Sequence, residues 1–365
     1  MSASDGTGLT IPASPDEITA EWLTEALPGD AFEGQAALSV SVEDIGEGTG
    51  IFGQLARMEI GTGDGSAWFV IAKLPCTEPA NLAVANALGI YERELNMYEH
   101  VIPHASFRAP GCYTSLRDDQ GAFVMLLEDL STDYDVGDQV VGATLDQAEA
   151  IIDVLATFHA QWWEKPELQT FDWLPVPNTE VYRTTVPDIY KAGLPVLQAD
   201  WTDRVSAESI ELATALEPRF VEILDRTAGG PETIIHGDTR LDNIFFAKDG
   251  SGEIAFIDFQ LALRGRGVAD LAYLLGTSMD AGLSAQHWER LLARWHARLV
   301  DHGVSDYSFD QAKEHYLTAA LYYVVGAMSL IGSFDTGNER GAAMAEAYST
   351  RILAHVVDID AGSVL

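Results

Sequence analysis

The chain has little cysteine, little positive charge and no long apolar run. Its only cysteines are Cys76 and Cys112, too few for a disulfide framework or a zinc cluster, so both read as buried thiols of a reducing compartment. Lysine and arginine total 21 against 56 acidic residues, a net charge of -35. That balance argues against nucleic acid and against an anionic membrane as partners, because both select clustered basic side chains. No stretch approaches the roughly 18 uninterrupted apolar residues of a membrane span, and the opening MSASDGTGLT lacks the basic and apolar regions of a signal peptide. A cytoplasmic protein is expected, as a monomer or homodimer. The acidity suits either a cationic small substrate or a solvated surface and does not choose between them.

What is present is enough to pack two modest lobes: 47% of the 365 residues are hydrophobic. Ser14-Pro15-Asp16-Glu17 places a capping serine, a first-turn proline and a glutamate three after the cap, so a helix is expected to about Leu27. Leu38 to Ile45, Gln54 to Ile60 and Ala67 to Leu74 read as strands, the first two parted by Gly48-x-Gly50-x-x-Gly53 and the last two by a glycine-rich turn, Gly61 to Gly65. Spaced glycines of this kind serve dinucleotide-binding units and also loops laid over ATP phosphates. A dinucleotide unit needs a helix directly after the glycines and an acid about 20 residues on. Here a β-like segment follows and position 73 is lysine, which favours the ATP loop. Taken alone, the motif fits a glycine-rich hairpin without a ligand as well.

Lys73 ends the third strand. A lone strand lysine is ordinarily a solvated edge charge, but Glu94, in the helical stretch Ala80 to Val101, is placed to pair with it and fix it on the α and β phosphates. Glu92 competes and would point from a different face. Phe123 to Leu127 reads as a buried strand, and Glu128-Asp129-Leu130-Ser131 ends it. That break reads as the joint between an N-lobe, 1–127, and a C-lobe, 128–365, with the backbone of Leu127 to Leu130 meeting the adenine edge; the alternative is a plain strand end.

The C-terminal part is helical in pattern. Thr144-x-x-Gln147 is a capping box for a helix to Trp163 with Ile151, Ile152, Leu155 and Phe158 on one face. His159, Trp162 and Trp163 suit a substrate box or, more simply, core packing. The proline-rich segment 166–195 is expected as a loop or broken helix at the lobe surface, where specificity commonly resides. Further helices are expected over 207–226, over 268–275 with Asp270, over 284–302, from the Ser308-x-x-Gln311 capping box, and over 338–357.

Chemistry concentrates between His236 and Asp258. Asp238 and Asn243 stand five apart, and Asp258 follows two apolar runs, Ile244 to Phe246 and Ile254 to Ile257, parted by the turn Lys248 to Gly252. Strands joined by such a turn form a hairpin, which returns Asp258 beside Asn243 so that a carboxylate and an amide oxygen face one metal. Phosphoryl transfer asks a protein for positioning and charge neutralisation more than for covalent chemistry. On that reading Lys73 holds the α and β phosphates, Asn243 and Asp258 carry Mg2+, and Asp238 orients the acceptor hydroxyl and takes its proton late. His236 holds the loop, Gly237 permits its tight turn, and a buried Asp270 braces it by accepting backbone N–H groups. Arg264 and Arg266 either reach substrate or phosphate or are solvated loop charges.

His236-Gly237-Asp238-x-x-x-x-Asn243, Ile257-Asp258-Phe259-Gln260 and Asp270-Leu271-Ala272 resemble the aminoglycoside phosphotransferase and choline kinase-like superfamily, and the Asp-Phe-Gln form resembles its ecdysteroid kinase-like branch. With Gly48, Gly50, Gly53, Lys73, Glu94 and Leu127-Glu128-Asp129-Leu130, matching features run from about residue 45 to 275. The resemblance implies an α+β, bilobal protein kinase-like fold: an antiparallel N-lobe sheet with one main helix, and a mostly helical C-lobe carrying a catalytic-loop hairpin. It implies ATP- and Mg2+-dependent phosphorylation of a hydroxyl group on a small molecule, be it an antibiotic, sugar, amino alcohol, sterol-like or hydroxyacyl compound. Nucleotide contacts would fall to the three glycines, Lys73, Glu94, Glu128 and Leu130. Gln260 stands where protein kinases have glycine and Leu55 where their loop has valine, and neither change removes a charge. Only 270 - 258 = 12 positions separate Asp258 from Asp270, leaving no room for a long activation loop, so peptide acceptors are not expected. A non-catalytic nucleotide-binding or scaffolding module on the same fold is the alternative.

Overall fold

A computed structural model describes residues 9–27, 31–45, 52–118, 121–333 and 339–365. They form two compact units, one comprising the chain through Pro103 with Ala109–Tyr134, the other His104–Arg108 with Asp135–Leu365. The first unit runs past Leu127, where the sequence put the joint. Arg57 Nε donates to Asp129 Oδ2 at 2.7 Å, and Glu128 exchanges hydrogen bonds with Gly111, so the segment after the strand stays tied to the sheet.

In the first unit, α1 (Ala20–Ala26) precedes β1 (Ala37–Ile45), β2 (Gly53–Thr62), β3 (Ala67–Pro75), α2 (Pro79–Leu88), α3 (Ile90–Asn96), β4 (Cys112–Arg117) and β5 (Phe123–Glu128). The strands make one antiparallel sheet in the order β1-β2-β3-β5-β4. Alternation selects its buried face: Met58 and Ile60 of β2, Val70, Ala72 and Leu74 of β3, and Val124 and Leu126 of β5 pack with Leu23 and Leu27 beside α1. The first helix starts later than expected, since Thr19 rather than Ser14 caps it, accepting from Trp22 N at 3.2 Å. The expected helix over 80–101 is cut at Gly89, whose φ of 63° ends α2 in the left-handed conformation, and α3 runs on into a π turn over Met97–Val101. Two short helices therefore replace the one main helix. Strand β4 went unread because it is an edge strand with little apolar alternation, and it leaves Cys112 exposed while Cys76 is buried.

Strand β6 (Tyr134–Val136) begins on the last residue of the first unit, and the second unit goes on with α4 (Leu145–Trp162), α5 (Glu180–Asp200), α6 (Ala207–Leu216), α7 (Phe220–Thr227), β7 (Thr233–Ile235), β8 (Ile244–Ala247), β9 (Ile254–Phe256), β10 (Leu263–Gly265), α8 (Val268–Ser278), α9 (Ala281–Asp301), α10 (Phe309–Ser333) and α11 (Glu339–Asp358). Both capping boxes form: Gln147 N donates to Thr144 Oγ1 and Gln311 N to Ser308 Oγ, each at 3.2 Å. The proline-rich segment is a 3-10 turn and loop only as far as Thr179. It holds α5, continuous across Pro187 and Pro195, although a proline in a helix interior costs about 3 kcal/mol. Packing overrides propensity, for Tyr182, Val186, Tyr190 and Leu197 are buried and Gly193 meets α10 so closely that an added Cβ would lie 2.1 Å from Met328 O. Pro218, by contrast, does divide the expected 207–226 helix, at a 3-10 turn over Glu217–Arg219. Helix α10 is long and apolar enough to cross a membrane, and 61% of its apolar window is buried within the structure.

Two histidines, one buried and one half-buried, give this unit a pH dependence. His355 has no exposed surface; its Nδ1 meets Ser284 Oγ at 3.1 Å and its Nε2 Tyr316 Oη at 2.8 Å, and burial pushes its pKa from 6.5 to about 3. Burial, with Arg266 and Arg226 nearby, brings His315 to about 4. The unfolded chain takes up these protons below 6.5 and the folded chain does not, so stability present above pH 6.5 is lost as pH falls toward those values. A Tm series from pH 6.5 to 5, above the carboxylate range, should fall, and His315→Gln should flatten it. An equal slope in the variant would contradict this.

Candidate active site

Within the first unit, β3 points Ala72 and Leu74 into the core and Lys73 to the opposite face, toward α3. Lys73 Nζ donates to Glu94 Oε1 at 2.7 Å and lies 2.6 Å from Oε2, with the two side chains 6% and 1% exposed. Glu92 sits on the exposed face of α3. Leu55 is paired with Lys73 across β2 and β3, and an added Cβ at Gly53 would lie 3.7 Å from Lys73 Cε, so the start of β2 runs along the lysine stem. Gly48 and Gly50 lie outside the described residues. Glu128 turns back on the sheet: its carboxylate accepts from Gly111 N and its own N–H donates to Gly111 O, both at 2.8 Å. Leu130 is buried and opens a 3-10 turn capped by Asp129.

In the second unit, β7 delivers the chain into the His236-Gly237-Asp238 turn and pairs with β10. Asp270, at the start of α8 and fully buried, accepts from His236 N at 2.8 Å and Gly237 N at 2.9 Å, while its own carbonyl accepts from Thr239 Oγ1 at 2.9 Å. Gly237 has φ 78°, and a Cβ there would lie 2.1 Å from Leu261 O, so only glycine fits. His159 belongs to this brace and not to a substrate box: its Nε2 lies 3.1 Å from Asp270 Oδ2, and Trp295 Nε1 donates to its Nδ1 at 3.1 Å. Because an indole N–H can only donate, Nδ1 accepts and Nε2 carries the hydrogen that faces Asp270. His236 is fixed by the same logic. Asp238 N donates to its Nδ1 at 3.3 Å, and its Nε2 donates to Ile257 O at 2.9 Å, which links the turn to the residue before Asp258.

Asp238 is held from both sides. Tyr273 Oη donates to Oδ1 at 2.5 Å, Asn243 Nδ2 donates to Oδ2 at 2.9 Å and to the Asp238 carbonyl at 3.0 Å, and Arg240 Nε lies 3.5 Å from Oδ2. Burial, with Asp238 and Tyr348 nearby, raises the Tyr273 pKa well above its usual value, so the phenol remains a donor. Burial opposes the charge on Arg240, but Asp238, Tyr273, Asp258 and Asp242 outweigh it and raise its pKa. Hairpin β8/β9 forms as expected, with Ile244 opposite Phe256, and Ile257 N donates to Asn243 O at 3.0 Å. Asp258 follows at φ 64°, a conformation that costs a non-glycine residue about 1–3 kcal/mol and clusters at functional sites.

The donor set suits magnesium. Since Asn243 gives its NH2 to Asp238, its amide oxygen is the group left for a ligand, and its backbone carbonyl is bonded to the residue before Asp258. Among the described residues no group of three or more His, Cys, Asp or Glu is arranged to hold a metal. Mg2+ sites commonly use one or two carboxylates completed by substrate phosphates and water, and an amide–carboxylate pair fits that pattern.

Four residues around the turn escaped the sequence reading. Tyr273 lies three positions after Asp270, so one face of α8 carries both the brace and the partner of Asp238; that spacing was readable. Arg240 sits inside the motif itself. Gln139 is fully buried, accepting from Leu241 N and Ser278 Oγ, both at 2.9 Å, and donating to Thr277 O at 2.8 Å. Asp242 accepts from Gln139 N at 3.1 Å and Arg340 Nη2 at 2.8 Å; nothing local marks either contact. Arg264 and Arg266 are loop staples instead of substrate groups, donating to Leu168 O and to Gly229 O and Arg226 O.

Replacing Asp270 with Asn turns an NH2 donor toward N–H groups. Hydrogen bonds to a buried charge contribute about 1.5–3 kcal/mol each, so Asp270→Asn should lower unfolding free energy by about 2–4 kcal/mol in urea titration. A loss under about 0.5 kcal/mol would contradict the bracing role.

A family model described as the ecdysteroid kinase-like family matches residues 52–304. No curated protein sequence matches the chain. Among solved structures, the microcompartment-associated aminopropanol kinase is similar at TM-score 0.55 and 15% identity, covering 89% of this chain and 94% of that one. A Ralstonia eutropha JMP134 protein assigned as an aminoglycoside phosphotransferase gives TM-score 0.55 and 14% identity over 93% and 97%. The GDP complex of an aminoglycoside 2'-phosphotransferase-IIIa variant gives 0.52 and 15% over 88% and 92%. At these identities the structures establish a protein kinase-like α+β fold, and the family match, spanning well over half of the sequence, shows that the chain belongs to the ecdysteroid kinase-like family.

Proposed function

We propose that the chain is a small-molecule O-kinase, transferring the γ-phosphoryl group of ATP, with Mg2+, to a hydroxyl group. The observation that carries this reading is the setting of Asp238, held by Tyr273 and Asn243 while Asn243 is bonded through its backbone to the residue before Asp258. Asp238 receives the acceptor hydroxyl. Donors on both of its oxygens fix its orientation, so it orients the nucleophile first and, being a carboxylate, takes the proton only as the new bond forms. Asn243 and Asp258 hold the magnesium, which when bound supplies charge neutralisation at the phosphates. The Lys73–Glu94 pair holds the α and β phosphates, Gly48, Gly50 and Gly53 cover them, and the backbone around Glu128 and Leu130 meets the base. GDP bound by a protein of the same fold supports a purine nucleotide. The acceptor is a small hydroxyl compound of the classes named from the sequence, and the setting is cytoplasmic.

The test is transfer of labelled γ-phosphate from Mg-ATP to a panel of amino alcohols, sugars, aminoglycosides and sterols. Wild type should label at least one, and Asp238→Asn should lower kcat by about 10²–10⁴-fold with nucleotide binding retained. Glu94→Gln should weaken ATP binding, whereas Glu92→Gln should not. Undiminished transfer by Asp238→Asn would overturn the role of Asp238; ATP binding without transfer to any acceptor would favour a non-catalytic module.

A further inference from the structure

Arg240 is the anomaly of the catalytic turn. Its side chain is only 15% exposed, yet its Nε is buried without a hydrogen-bond partner among the described residues. The 3.5 Å approach to Asp238 Oδ2 is an attraction between charges, not an aligned hydrogen bond. Other half-buried arginines of this unit are engaged by protein acceptors: Arg351 donates to Gln139 O at 2.6 Å and Val140 O at 2.7 Å, and Arg266 to two carbonyls. A guanidinium has five N–H donors in a planar fork, and leaving a buried one such as Nε without an acceptor is costly. An acceptor that arrives with the substrates resolves the cost.

Position identifies that acceptor. Arg240 lies two residues after Asp238, the group that receives the hydroxyl, and close enough to Asp258, the group that holds the metal, for their charges to interact. A phosphoryl group passing to that hydroxyl occupies the space between those two carboxylates. Its non-bridging oxygens are negative, and two carboxylates facing them need an opposing cation. Planar, bidentate recognition of phosphate oxygens is what the arginine fork does best.

We propose that Arg240 binds the phosphoryl group in transit, its guanidinium taking the non-bridging oxygens as the group leaves the nucleotide. The inference rests on the kinase reading above. In the step, the bond between the γ-phosphorus and its bridging oxygen breaks with the electron pair staying on ADP, the acceptor oxygen bonds to phosphorus, and the acceptor proton passes to Asp238. Arg240 exchanges no proton and holds two of the three charged oxygens throughout.

Thermal unfolding of the full chain reads this without any acceptor, using Mg-ADP alone and Mg-ADP with aluminium fluoride, a stand-in for the phosphoryl group in flight. Wild type should rise in Tm with Mg-ADP and rise further with fluoride. Arg240→Gln should keep the first rise and lose most of the second, its affinity for the fluoride complex falling by about 10²-fold or more. Arg240→Lys, which preserves the charge and guards against misfolding of the glutamine variant, should keep only part of the increment because it lacks the fork. A full fluoride increment in either variant, or none in wild type that does bind Mg-ADP, would overturn the proposal. No response of wild type to Mg-ADP would overturn the kinase reading itself and the inference with it.

Discussion

The carboxylate of Asp270, without exposed surface, accepts the backbone N–H groups of His236 and Gly237 and faces the Nε2–H of His159, and the His236-Gly237-Asp238 turn depends on it. A buried carboxylate needs several donors to remain in place. Here the donors are two consecutive backbone amides, so satisfying the charge also fixes the direction in which the chain leaves the turn. Gly237 completes the constraint, because its positive φ and its contact with Leu261 admit no side chain.

From that turn the remaining geometry is relayed by short bonds. His236 donates from its ring to the Ile257 carbonyl, the Asn243 carbonyl accepts the N–H of the same residue, and Asp258 follows in a left-handed conformation. Helix α8 acts twice, bracing the turn with Asp270 and orienting the Asp238 carboxylate with Tyr273. Gln139, reaching Leu241, Thr277 and Ser278, ties the far end of the loop to the same helix. The separate Lys73–Glu94 pair, buried in the first unit, is stable there because each charge is the other's partner.

Sequence patterns were most informative where period and chemistry coincide. Alternation in β2 and β3, the capping boxes at Thr144 and Ser308, the hairpin returning Asp258 to Asn243, and the choice of Glu94 over Glu92 follow from residues near one another in sequence, or from one side of an element. What was hidden depends on long-range packing. The proline-bearing α5 survives because it lies on α10, a contact no local propensity reports. Gly89 was passed over as a helical glycine although it ends one helix and begins another. Gln139 and Asp242 meet across a gap of about a hundred residues. Tyr273 could have been read from its spacing to Asp270, while Arg240 stood in the motif without a role.

On the proposed function, an amide–carboxylate pair, Asn243 and Asp258, joins the nucleotide through magnesium. The most direct test is calorimetric titration of wild type and Asp258→Asn with a non-hydrolysable ATP analogue, with and without Mg2+. Wild type should bind about ten-fold or more tightly with the metal, a gain of about 1.4 kcal/mol or greater, and Asp258→Asn should lose that gain. Equal binding with and without Mg2+, or an undiminished metal effect in Asp258→Asn, would contradict it.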